Sequence, residues 1–171
     1  MPERDISWTE YIRENIERVE KILGQFEGIC KSDENLSEMM EERLYLLAVY
    51  IMWVLTSTVR PLRDKVTRAL YWYGRRKSEK FLELLLQSLK VNDPYVSERM
   101  LAAAYGIAMA RQYDFKDASF TQNFLPLYGR ELYEAMFKPN APHSTTHILA
   151  RDYHFSLWRI LAFITTFYIL T

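Results

Sequence analysis

The residues with the most chemical potential stand near the C-terminal end. All three histidines of the chain are there: His143, His147 and His154. On an ideal helix they would fall within about 40° of one another, an arrangement that could offer imidazoles to a metal. The surrounding pattern does not support that chemistry. His143 directly follows Pro142, before regular helix can start, and His154 lies nearly two turns beyond His147. No His-Glu-x-x-His zinc-protease pattern is present. The histidines read first as surface or interface residues, with a small all-α metalloprotein as the weaker alternative.

Other chemistries fare no better. Cys30 is the single cysteine, so no intrachain disulfide or multi-thiolate metal site can form, and no local signature marks it as a nucleophile. Gly24, Gly28, Gly74, Gly106 and Gly129 never open a G-x-x-x-x-G-K phosphate loop, and a G-x-S-x-G elbow is also missing. The acid pairs Glu41/Glu42 and Glu131/Glu134 lie in charge-rich helical stretches and read as solvated faces. The expectation is no catalytic residue, no cofactor and no metal.

Charge and composition narrow the class further. Lys plus Arg number 22 and Asp plus Glu number 22, which gives no basic excess for nucleic acid. Arg75-Arg76-Lys77 is a local basic cluster, but Glu79 and Glu83 follow it closely, and a solvated helix end explains it. The lone cysteine and the absence of an apolar signal segment in Met1–Asp5 point to the cytoplasm. Two apolar runs, Leu44 to Val59 and Ile160 to Leu170, fall short of the roughly 20 residues a spanning helix needs. Both are expected to be buried core helices. A peripheral membrane protein anchored by residues 160–170 is the alternative, and self-association through that apolar end is a further option.

The elements follow from 3.6-residue periodicity, since period-2 alternation is scarce. Ser7-Trp8-Thr9-Glu10 matches a capping box and predicts a first helix to about Gly24, with Tyr11, Ile12, Ile16, Val19 and Leu23 on one face. A long helix is expected over about 36–55. Pro61 opens a third, striped by Leu62, Val66, Ala69, Leu70 and Tyr73 and closed by Gly74. Ser78 is placed as the cap of a fourth helix running through Leu89, and Asp93-Pro94 as the cap and first turn of a fifth. A sixth spans about 120–137, with Pro126 as a kink or late start, and a last runs from Ser144 or Thr145 to the end. The fifth helix carries apolar residues around nearly its whole circumference, and its alanines and Gly106 keep it thin, as suits a helix pressed on several sides.

This order predicts a single all-α domain over 1–171: about seven helices in antiparallel pairs, an α-solenoid. Pro61 and Pro94 lie 33 residues apart, a spacing compatible with HEAT-like or related helical pairs. Asp64 and Arg68 are spaced to pair along one helix, worth roughly 0.2–0.5 kcal/mol. Arg63, Asp64, Arg68, Asp93, Glu98, Arg99, Arg151 and Asp152 are the residues expected to tie one helix pair to the next or to meet a partner.

Three stretches taken in order carry a resemblance. They are Leu55-Thr-Ser-Thr-Val-Arg-Pro-Leu-Arg-Asp-Lys-Val-Thr-Arg-Ala-Leu70, then Asn92-Asp-Pro-Tyr-Val-Ser-Glu-Arg through Ala104-Tyr-Gly106, then His147-Ile-Leu-Ala-Arg-Asp-Tyr153. Together they resemble a HEAT-like helical-repeat region of bacterial STAND-type (NACHT-like) ATPases, a class that includes antiviral defence proteins. The resemblance covers about 45–153; residues 1–44 lie outside it, and 154–171 depart from it as an atypical apolar end. It implies a helical scaffold that holds or senses a protein partner beside an NTPase module. None of the ATPase residues is present, so no activity transfers. The apolar end without a polar cap reads as a truncated relative, a fragment, or a protein whose last helix packs on a partner.

Overall fold

The computed structural model describes residues 2–32, 34–111 and 124–137. Among them the chain is all-α: α1 (Pro2–Glu14), α2 (Ile16–Lys31), α3 (Glu38–Val54), α4 (Arg60–Arg76), α5 (Ser78–Ser88), α6 (Pro94–Arg111) and α7 (Leu125–Phe137). The expected last helix, the three histidines, Arg151, Asp152 and the apolar 160–170 run lie outside the described residues. No described helix is long and apolar enough to cross a membrane.

Two layers build the stack. α4 lies at the centre of one, packed extensively against α2 on one side and α6 on the other. The second layer runs α3, α5, α7, each helix meeting the next, and α3 and α5 both lean on α4. Neighbours in sequence thus pair between layers, and alternate helices stack within a layer, as in a solenoid. Short connections enforce this alternation: only Lys77 separates α4 from α5.

Of the first anticipated stripe, Ile12, Val19 and Leu23 join the core, whereas Ile16 is half-buried and Tyr11 is exposed; the α4 stripe is wholly in the core. Leu62, Val66, Ala69, Leu70 and Tyr73 of α4 are all buried, and the Tyr73 ring centroid lies 5.7 Å from that of Phe26 on α2. Each such fully buried aliphatic or aromatic side chain contributes roughly 1.5–3 kcal/mol. On α6, Val96, Met100, Leu101, Ala103, Ala104, Ile107 and Ala108 are buried, and a Cβ on Gly106 would sit 3.1 Å from the Tyr71 ring of α4. The thin helix is pressed from more than one side, as its composition suggests.

Several local expectations are corrected. Ser7 does not cap a helix; it lies inside α1, which starts at Pro2. The break comes instead at Asn15, whose side-chain amide donates to the Tyr11 carbonyl at 2.9 Å, and α2 then runs through Gly24 to Lys31. Gly74 does not close α4 either. It lies within the helix because a Cβ there would overlap Ile107 and approach Phe81 Cγ to 2.8 Å. Ser78 is the first residue of α5 and its hydroxyl donates back to Gly74 O at 2.9 Å, so Lys77 holds the cap position without a side-chain bond. Asp93 does cap α6, accepting from Tyr95 N–H at 2.9 Å.

Candidate functional site

The residues expected to tie helices together fall mostly on α4 and α6. Arg63 is buried; its Nη1 donates to Ser57 O at 2.6 Å, and its guanidinium lies 4.3 Å from the centre of the Tyr95 ring. It therefore pins the α3–α4 turn and meets the first turn of α6. Asp64 and Arg68 do not pair with each other. Asp64 accepts from Arg99 Nη1 of α6 at 2.5 Å, and Arg68 Nε donates to Glu27 of α2 at 3.0 Å. Cross-helix partners displace the weak along-helix pair because each side chain can satisfy its charge while crossing a packed interface. Glu98 is half-buried on α6.

Among the described residues Glu27 is the one buried carboxylate, and it bridges Lys31 of its own helix at 2.5 Å as well as Arg68. Burial alone pushes its pKa up, but hydrogen bonds and charge from Lys31 and Arg68 outweigh burial and hold it below the ordinary carboxylate value.

A polar groove of about 380 Å³ lies where α2 ends and α4 ends, lined by Lys31, Glu34, Glu41, Trp72, Arg75, Arg76 and Lys77 among others. Its cations are the cluster read as a solvated helix end. Most are engaged. Arg76 donates to the carbonyls of Ile29 (3.1 Å), Ser32 and Glu34, capping the C-terminus of α2. Lys77 pairs with Glu41, and Arg75 lies over the Trp72 ring at 5.7 Å while donating to Tyr71 Oη at 3.2 Å. The groove is a clamp on helix ends. Cys30, at its wall, is buried, and burial pushes its thiol up to about 12, so it is protonated at neutral pH and a poor nucleophile. No group of three or more His, Cys, Asp and Glu side chains among the described residues could hold a metal.

α3 presents a different surface. The sequence predicts burial for Leu44 to Val59, an uncharged run, but α3 is buried only on the face that carries Leu44, Ala48, Ile51, Met52 and Val54. Met39, Leu46 and Trp53 stand out to solvent, 58%, 61% and 43% exposed. They recur every seven residues, two turns of helix apart, so they form one line along the helix. Val49 and Tyr50 are half-buried beside that line. Trp8 of α1 packs edge-on against Tyr50, with ring centroids 6.2 Å apart, and its Nε1 donates to Thr56 Oγ1 at 2.9 Å. Stacked on Trp8, Tyr11 extends the apolar surface onto α1. Periodicity located the buried stripe but not this second one, because a helix apolar all round gives no sign of which side is covered. The seven-residue spacing of 39, 46 and 53 was the available signal.

Comparison with protein families, curated proteins and solved structures finds no match.

Proposed function

We propose that the chain is a non-enzymatic helical scaffold that binds another protein, with the outer face of α3 as its docking surface. The carrying observation is that α3 is uncharged from Leu44 onward yet buried on one side only. Large apolar side chains aligned on a solvent-facing helix are costly to leave in water and mark interaction surfaces. The expected occupant is a helix with a matching apolar stripe, laid along α3. In this reading the chain acts in the cytoplasm as a HEAT-like repeat scaffold, with a role in bacterial defence of the kind its resemblance to STAND-type ATPases implies. Two features support a structural role: Arg63, Lys65, Arg68 and Arg76 of α4 are spent on tying it to its neighbours, and Cys30 is buried and protonated.

A photo-cross-linking residue at position 46 tests this. In cells expressing the full chain it is expected to yield a protein adduct, while the same probe at exposed Glu83 of α5 does not. A folded chain with no adduct from position 46 would refute the docking surface.

A further inference from the structure

We propose that the occupant of the α3 face is α3 of a second copy, packed antiparallel about a two-fold axis at Leu46. This rests on the reading of that face as a docking surface and names what docks there. Two features of the face select a copy of itself over an unrelated helix.

The first is the spacing. Met39, Leu46 and Trp53 repeat every seven residues, the period at which two helices keep one seam in contact. From Met39 to Trp53 the seam runs about 21 Å at ~1.5 Å per residue. A two-fold axis at Leu46 sets each position against the one equally far on its other side. Leu46 then meets its own equivalent, and Met39 meets the partner's Trp53. The aliphatic stem of Arg43 covers the partner's Val49.

Charge is the second. Glu38 and Glu42 are exposed at the N-terminal end of the seam. The other end is flanked by arginines from the preceding helices. Exposed Arg13 donates to Thr58 Oγ1 at 3.0 Å, just past the end of α3. Arg18 lies near enough to Tyr50 for its charge to oppose the upward push that burial gives that phenol. Glu38 and Glu42 thus stand at one end of the seam, with Arg43 beside them, and Arg13 and Arg18 at the other, with Glu14 and Glu17 next to them in sequence. In an antiparallel copy Glu42 falls opposite the partner's Tyr50, the residue whose surroundings include the charge of Arg18. Parallel pairing would set acid on acid and base on base. Isologous contacts of this kind close after two copies, and a net charge of zero leaves no overall repulsion to oppose them.

Sedimentation equilibrium of the full chain at micromolar concentration is expected to give twice the 20.4 kDa of one copy. L46E should weaken the dimer at least tenfold with the helical circular dichroism unchanged. E42R and R18E should each weaken it, and E42R/R18E should restore it, because the pair is then swapped on both sides of the axis. In a C30S background, L46C should form an intermolecular disulfide on mild oxidation. An equimolar mixture of M39C and W53C chains should cross-link, and M39C alone should not. A monomer up to about 100 μM, a dimer indifferent to L46E, or a double swap that fails to rescue would each overturn the proposal. If the chain is monomeric and position 46 cross-links a different protein, or residues 160–170 of its own chain, self-pairing is wrong. Of these two results, the first leaves the docking surface standing. Absence of any adduct removes both.

Discussion

Gly74 shows how much can hang on one missing methyl group. From sequence it reads as the glycine that ends a helix, yet it is a contact point where α4, α5 and α6 converge. A Cβ there would overlap Ile107 and crowd the Phe81 ring. Ala gains up to about 1 kcal/mol over Gly in helix propensity, but overpacking costs roughly 1–3 kcal/mol, and the Phe81 contact is to the ring's fixed Cγ. G74A is therefore expected to lower stability by about 1–2 kcal/mol, read as a lower urea midpoint with unchanged slope. Tyr128 of α7 goes the other way. Its hydroxyl is buried without a hydrogen-bond partner, and burial drives its pKa far up. Such an unsatisfied group costs about 1–3 kcal/mol. Y128F removes it while keeping the ring, so its thermal midpoint should rise; a fall would mean the hydroxyl has a use.

At the scale of elements, the features legible in the sequence were those set by local chemistry. The α4 stripe and the Asp93–Pro94 start of α6 required only the 3.6-residue period and the hydrogen-bonding reach of an aspartate. That start is open to test: D93A removes the acceptor of the Tyr95 N–H and should lower stability by about 1 kcal/mol, with D93N recovering most of it. A larger loss from D93N than from D93A would assign Asp93 a role beyond the cap. The features that sequence missed depended on neighbours far along the chain. Ser7-x-x-Glu10 satisfies the capping pattern, but the pattern also occurs within helices, and α1 already runs from Pro2. Asp64 and Arg68 sit at a pairing distance along α4, yet each is drawn to another helix, 35 and 41 residues away in sequence. The uncovered side of α3 was hidden for the same reason. Hydropathy states which residues avoid water; it does not state whether the chain supplies enough surface to cover them.

The described residues stack about α4, and the pairs Lys65–Glu20, Arg68–Glu27, Lys77–Glu41 and Arg99–Asp64 lie on the seams between stacked helices. Glu27 is the most enclosed of these. It joins α2 to α4 through Arg68 and takes a second bond from Lys31. Because those partners hold its pKa below the ordinary value against the opposing effect of burial, the folded state favours the carboxylate more than the unfolded chain does. A depressed folded pKa gives stability that is fully present above the unfolded value, near 4.5, and is lost as pH falls through the folded one. Other carboxylates titrate in the same window, so the difference between two proteins isolates this one. E27Q should be less stable than the parent by about 1 kcal/mol at pH 6–7, where the exposed partners return to water at little cost. Below pH 4 the parent loses its advantage and the two denaturation midpoints should converge. Midpoints that stay parallel from pH 7 to pH 3 would show that the α2–α4 seam owes nothing to the ionised carboxylate, and that it is held by packing such as Phe26 against Tyr73 and by the Arg76 bonds to the end of α2.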